Sequence, residues 1–145
     1  MRRFEIVSAY INEGVNIPVR ATSSSAGYDL ESIENIVIKP REIVLVKTGL
    51  RIKMPANEVV LVYPRSSLAV KKGLMMSNSV GVIDSDYYNA KNEGHVMIPL
   101  FNFTDQEVKI EKHERLAQAI FTTYFKTVDE KDSGVVRLGG FGSSD

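Results

Sequence analysis

No cysteine occurs in the 145 residues, which excludes disulfides and thiolate metal sites and is compatible with a reducing cytoplasm. Net charge is lacking as well. Eighteen basic side chains balance eighteen acidic ones, so no general field draws the chain to nucleic acid or to a membrane surface. Any anion it binds must be held by a local arrangement of donors. No apolar run approaches the roughly 18 residues of a membrane span. The basic start MRRFEIVSAY leads into no apolar signal core. There is no internal repeat and no linker, and this length suits one domain around one core. The expectation is a soluble cytoplasmic domain with no nucleic-acid or membrane partner.

What is present is a period of two. Leu50-Arg51-Ile52-Lys53-Met54 and Val108-Lys109-Ile110-Glu111-Lys112 alternate strictly, and Phe4-Glu5-Ile6 and Ile36-Val37-Ile38-Lys39 fit the same half-buried strand pattern. Glu58–Tyr63 and Ala119–Phe121 are denser apolar runs, as expected of strands buried on both faces. Turn signals recur at Glu13-Gly14, Lys39-Pro40, Met54-Pro55, Glu93-Gly94 and Thr104-Asp105. Many short strands with frequent turns predict an all-β sandwich or barrel. One segment departs from this. Ser66–Gly73 has serine in N-cap position, basic residues in its last turn and a glycine stop, predicting one short helix of about two turns. From about Thr127 the chain turns polar and then glycine-rich. So little apolar surface cannot offset ordering entropy, and a mobile tail over 127–145 is expected beyond a 1–126 barrel.

Five segments carry side chains suited to chemistry, and each also has a plain structural use. Ala21–Leu30 leads through small hydroxyl residues to Gly27 and Asp29, as a turn entering a strand also would. Arg65-Ser66-Ser67 combines a bidentate cation, hydroxyl donors and helix-end N–H groups, which suits phosphate, although a simple helix cap explains the serines equally well. Ser77–Tyr87 is turn-rich and suits a hairpin lining a pocket. Within it Asn78 offers both a donor and an acceptor, and Asp84 follows Val82-Ile83 into a partly dry setting fit for a general base. A solvated acidic turn is the alternative. Arg115 and Gln118 lie in an apolar stretch and need partners, whether in the protein or in a substrate. In Arg137–Ser144, glycines let backbone approach phosphates, Arg137 adds charge and Phe141 could stack on a base. This is no Walker A loop, for the lysine is missing and the spacing is wrong. A frayed terminus would read the same way.

The order of these segments is more specific than any one of them. Ser-Ala-Gly-Tyr-Asp-Leu, Pro-Arg-Ser-Ser-Leu-Ala, Gly-Val-Ile-Asp-Ser-Asp-Tyr, Arg-Leu-Ala-Gln and Arg-x-Gly-Gly-Phe-Gly-Ser follow one another from Ala21 to Ser144. Together they resemble the five motifs of the trimeric dUTPase family. The resemblance implies a distorted jelly-roll β-barrel with one short helix, assembled as a homotrimer whose three active sites lie at subunit interfaces and draw residues from three chains. It implies Mg²⁺-assisted hydrolysis of dUTP to dUMP and pyrophosphate, which keeps uracil out of DNA and supplies dUMP for thymidylate synthesis.

Carried over by position, Asn78 and the backbone at Gly81, Val82, Ile83 and Met97 would read uracil, and Tyr87 would lie against the deoxyribose. Asp84 would be the catalytic base. Arg65, Ser66, Ser67 and Gln118 would hold phosphate oxygens. Phe141, Arg137, Gly142 and Ser143 would close over the nucleotide. Asp29 would reach Mg²⁺ only through water, with no direct protein ligand, since phosphates and water satisfy this ion. Two departures from the family pattern stand out. Tyr88–Gly94 is longer than the usual turn, and His113 stands where glycine is common. Two rivals share the barrel. A dCTP deaminase would use a glutamate base and lack the tail. A phage- or island-type dUTPase would bind a regulatory protein, with the inserted loop as its contact surface.

Overall fold

The period-two segments become strands of a computed structural model in which residues 1–143 are described, so Ser144 and Asp145 lie outside the description. In chain order the strands are β1 (Arg3–Ile6), β2 (Tyr28–Glu31), β3 (Ile36–Ile38), β4 (Ile43–Lys47), β5 (Leu50–Lys53) and β6 (Glu58–Pro64). They continue with β7 (Leu74–Met76), β8 (Gly81–Asp84), β9 (Met97–Asn102), β10 (Val108–Ile110) and β11 (Arg115–Thr123). All pair antiparallel, in the orders β2-β11-β6-β8, β4-β9-β7, β1-β5 and β10-β3. Most neighbours are distant in sequence, as in a jelly roll, and the all-β barrel with one short helix is the fold expected.

One core joins the sheets. Leu30, Ile38, Val46, Val60, Leu74, Ile98, Leu100 and Leu116 are completely buried and come from seven different strands. The alternation in β5 works as its pattern predicts, with Leu50 and Ile52 in the core, Lys53 exposed, and Arg51 on the other face but covered by Tyr88. Truncating any of the large core side chains to alanine would cost about 2–5 kcal/mol. The densest run, β6, is buried along most of its length. In β11, Ile120 and Phe121 are only half-buried, so that strand is not covered on both faces as expected. Phe121 instead meets the rings of Phe4 and Tyr28, with centroids 5.8 and 6.0 Å away. No helix among the described residues is long and apolar enough to cross a membrane.

Two local expectations are corrected. The helix occupies only Leu68–Lys72, and Ser67 is itself helical with no side-chain cap hydrogen bond. The reason lies one residue upstream. The Arg65 N–H is committed to Leu116 O at 3.0 Å, and the Arg65 carbonyl accepts the Leu68 N–H at 3.0 Å, so backbone does the work assigned to the serine. Gly73 does end the helix, at φ +66, with its N–H donating to Ala69 O. Nor is Ser77–Tyr87 a hairpin, because β7 pairs with β9 and β8 pairs with β6. Ser79 at φ +62 and the Val80 N–H to Asn78 O bond of 2.7 Å turn the chain from one sheet into the other.

His113 takes φ +70, so this position demands the left-handed backbone that glycine adopts freely. For histidine the conformation costs about 1–2 kcal/mol. The His113 N–H to Ser32 O bond of 2.7 Å and the ring's 3.2 Å contact with Asn16 Nδ2 offset part of it.

Candidate functional site

The corner between β7 and β8 opens a cleft of about 280 Å³ on the side of β6. Its floor is apolar, from Val62, Met76 and Val96. Asn78, Gly81, Val82, Ile83 and Asp84 form one wall, and Tyr87, His95 and Met97 another. Gly81 is pressed against Val62, where a Cβ would come within 3.1 Å of the valine Cβ. The residues after β8 continue as a short 3-10 turn, Ser85–Asn89, which puts Tyr87 inside with only 7% of its surface exposed. After the longer Tyr88–Gly94 loop, Met97 opens β9 on the cleft wall.

The tail returns across this cleft. Residues 127–136 lie outside any strand and are exposed, with Val128, Val135 and Val136 bare. Arg137 then enters between two carboxylates of its own chain. Its Nη2 donates to Asp84 Oδ2 at 2.6 Å and its Nε to Asp86 Oδ1 at 2.7 Å. Leu138 O accepts the Lys91 N–H at 3.0 Å, Gly140 lies on the Tyr87 ring, and Phe141 lines the rim while remaining 59% exposed. Gly142 and Ser143 are exposed and line no part of the cleft. They close a turn through the Ser143 N–H to Gly140 O bond of 3.2 Å.

Asp84 differs from its expected setting. Its side chain is 47% exposed, because Val82 beside it points outward at 63% exposure and leaves the carboxylate uncovered. Whatever dries this carboxylate during chemistry must come from a ligand or a neighbouring molecule. Burial pushes the His95 imidazole below its ordinary range, and its Nε2 accepts the Gly49 N–H at 2.9 Å, so the ring is neutral.

The remaining candidates gather elsewhere. Arg65, Ser66, Ser67, Gln118 and Asp29 line no part of the cleft. Gln118 on β11 sits opposite both Asp29 on β2 and Tyr63 on β6. Gly27 is what lets Gln118 lie down there, since a Cβ would meet its Oε1 at 2.3 Å. Arg65 Nη1 reaches Arg115 O at 3.4 Å, and Arg115 pairs with Asp29 at 3.4 Å. Ser66 is exposed and Ser67 half-buried beside them. Asp84 lies opposite Val59, so six residues of β6, roughly 20 Å of strand, separate it from Arg65. Asp84 and Arg137, the charged side chains that line the cleft, balance each other, whereas Arg65 and Arg115 outnumber Asp29 in the second group.

Sequence reasoning missed Val62, Met76, His95 and Val96 as lining residues. The first two were visible only as core-type positions, and nothing in the local pattern points His95 at the cleft.

A family model described as dUTPase matches residues 13–145. A deoxyuridine 5'-triphosphate nucleotidohydrolase of Lactococcus lactis subsp. lactis (strain IL1403) is 51% identical over 146 residues, 99% of this chain and 97% of that one. One from Hydrogenobaculum sp. (strain Y04AAS1) is 41% identical over 139 residues, 92% of this chain and 93% of its own. Among solved structures, the dUTPase from Streptococcus mutans superposes with a TM-score of 0.83 at 44% identity, covering 86% of this chain and 98% of that one. A Staphylococcus bacteriophage 80alpha dUTPase, described as controlling transfer of virulence genes, is 24% identical with a TM-score of 0.72, a likeness of fold alone.

Proposed function

The chain belongs to the dUTPase family, and from that premise we propose that it hydrolyses dUTP to dUMP and pyrophosphate in a cleft completed by other copies of itself. The observation that carries the reading is the meeting of Asn78, Asp84, Tyr87 and Met97 in one cleft with an apolar floor. Asn78 offers a donor and an acceptor to the uracil edge, beside backbone from Gly81 to Ile83 and Met97. Tyr87 lies against the deoxyribose. Asp84 orients a water and takes its proton as the water oxygen bonds to the α-phosphorus and the bond to the pyrophosphate oxygen breaks. In the isolated chain Arg137 occupies that carboxylate. A triphosphate competes for the guanidinium, so substrate arrival frees the base and draws the tail, with Phe141, Gly142 and Ser143, over the nucleotide.

Charge neutralisation needs donors in contact with the phosphates, and Arg65 is too far along β6 to supply it to its own chain's cleft. Arg65, Ser66, Ser67 and Gln118 of a neighbouring copy meet the requirement. A homotrimer repeats the seam three times with closed symmetry. Residues 1–126 form the barrel and residues 127–145 the closing tail.

The residues fit Mg²⁺ as the family uses it. Mg²⁺ prefers oxygen and keeps waters, so phosphates and water can hold it without a direct protein ligand. Asp29, with one carboxylate oxygen on Arg115, has the other available for a metal-bound water. When bound, the ion supplies charge neutralisation and orientation to the triphosphate. The inserted loop is anchored on Arg51 and Tyr87, with Asn89, Lys91 and Asn92 exposed on its outer side.

Pyrophosphate release from dUTP, UTP, dTTP and dCTP, measured side by side, tests the proposal. Turnover of dUTP far above that of the other three is expected. Ammonia released from dCTP would assign the cleft to deamination instead.

A further inference from the structure

The Tyr88–Gly94 loop, longer than the family's usual turn, ends up as the frame around one side chain. The Tyr87 hydroxyl donates to His95 O at 2.7 Å and accepts from Asn92 Nδ2 at 2.8 Å. Asn92 is itself held by the loop. Its Oδ1 accepts the Gly94 N–H at 3.1 Å, and its carbonyl accepts the His95 N–H at 3.2 Å. The loop is pinned to the barrel at both ends. Arg51 Nη2 donates to Tyr88 O at 2.6 Å, and the Ser8 hydroxyl donates to Glu93 at 2.7 Å. On the far side of the ring, Gly140 packs so closely that a Cβ would come within 3.0 Å of Tyr87 Cε1.

With its proton on His95 O and a lone pair on Asn92, the phenol has no donor left for a substrate. What the ring presents to the cleft is therefore shape, and shape selects only if the ring cannot move. We propose that Asn92 is a positioning residue for sugar selection: by tethering the Tyr87 hydroxyl it fixes the ring edge that separates a deoxyribose from a ribose. This rests on the reading that Tyr87 lies against the sugar. Rejection of an added hydroxyl by shape lasts only while the ring edge stays in place, so a small gain in ring freedom is enough to erode it.

The test is the ratio of kcat/KM for dUTP to kcat/KM for UTP in Tyr87→Ala, Tyr87→Phe, Asn92→Ala and the Asn92→Ala/Tyr87→Phe double variant, all checked for intact folding by thermal melts. Tyr87→Ala removes the ring and reports on the site reading alone. Asn92→Ala and Tyr87→Phe cut the same tether from its two ends. Each is expected to lower the ratio by about tenfold, and in Asn92→Ala the fall should come through a rise in kcat/KM for UTP. The double variant is expected to match either single one, since the second cut has nothing left to release. If Tyr87→Ala collapses the ratio while Asn92→Ala and Tyr87→Phe leave it within twofold of wild type, the tether is overturned and the sugar contact stands. Additive losses in the double variant also overturn it. An unchanged ratio in Tyr87→Ala overturns both the sugar contact and the tether.

Discussion

Gly94 is the tightest backbone position near the cleft, and replacing it with alanine puts the geometry to a quantitative test. Its φ is +72, a conformation that costs an L side chain about 1 kcal/mol or more. The new Cβ would also lie 2.6 Å from Tyr87 O, 2.9 Å from Tyr88 Cα and 3.0 Å from Tyr87 C. These are backbone atoms, so no side chain can rotate out of the way, and forced movement of packed backbone costs about 1–3 kcal/mol more. The sum, about 2–4 kcal/mol, corresponds to a fall in Tm of roughly 6–12 °C at this chain length. Melting should be followed at one fixed protein concentration, because assembly of copies makes Tm concentration-dependent. Gly134→Ala is the matched control. It too has positive φ, +67, but meets nothing within 4 Å, so its penalty should stay near or below about 1 kcal/mol. A Gly94→Ala protein that melts within a degree of wild type, or no lower than Gly134→Ala, would refute the packing described around Tyr87.

Asp84→Asn should lower turnover by about 10²–10⁴-fold or more while nucleotide affinity changes little, since a general base acts mainly in the transition state. Single-turnover hydrolysis with parallel calorimetric binding separates the two effects, and near-normal turnover would remove Asp84 from its role. Deleting residues from Arg137 onward should remove most catalysis yet leave assembly unchanged and Tm within about 2 °C, because this segment adds nothing to the core cluster. A collapse of the oligomer on sizing chromatography would contradict that. His95 supplies a pH signature. Burial and Lys47 hold its folded-state pKa down, Glu93 opposing, so its contribution is full above the ordinary value near 6.5 and is lost as pH falls toward the folded value. Wild-type Tm should therefore drop as pH falls below about 6.5, and His95→Gln should show a flatter profile there. Parallel profiles would dismiss the histidine as the cause.

Much of the barrel was legible because side-chain period and burial are the same fact seen twice. Leu50 and Ile52 point into the core, and Arg51 and Lys53 to the other face, in the order their sequence prescribes. Gly73 announced the end of the helix, a condition set by a single residue's backbone. The false hairpin shows where this stops. Whether β7 and β8 pair with each other is decided by β9 and β6, and no local turn signal carries that information. The candidate site has the same limit. Ordered motifs named Asp84 and Arg65 together, but only the strand register places them at opposite ends of β6. The Arg137–Asp84 pair, 53 residues apart in sequence, and the Asn92 tether were equally invisible, because each depends on the path of a loop rather than on composition.

A site divided between copies can be tested by mixing two inactive proteins. Asp84→Asn destroys the cleft and spares the second cluster, whereas Arg65→Ala spares the cleft and removes the cation that a neighbour must supply. The two are unfolded and refolded together so that chains reassort, and mixed assemblies are confirmed by native mass spectrometry. At equal mixing, about one seam in four joins an intact Asp84 from one chain to an intact Arg65 from another, by simple statistics on a symmetric assembly. Pyrophosphate release from dUTP should then recover to about a quarter of the wild-type rate. If Asp84 and Arg65 of the same chain serve one site, every site in every mixture lacks one of them. Activity no greater than the sum of the two parents, in verified mixed assemblies, would contradict the shared cleft.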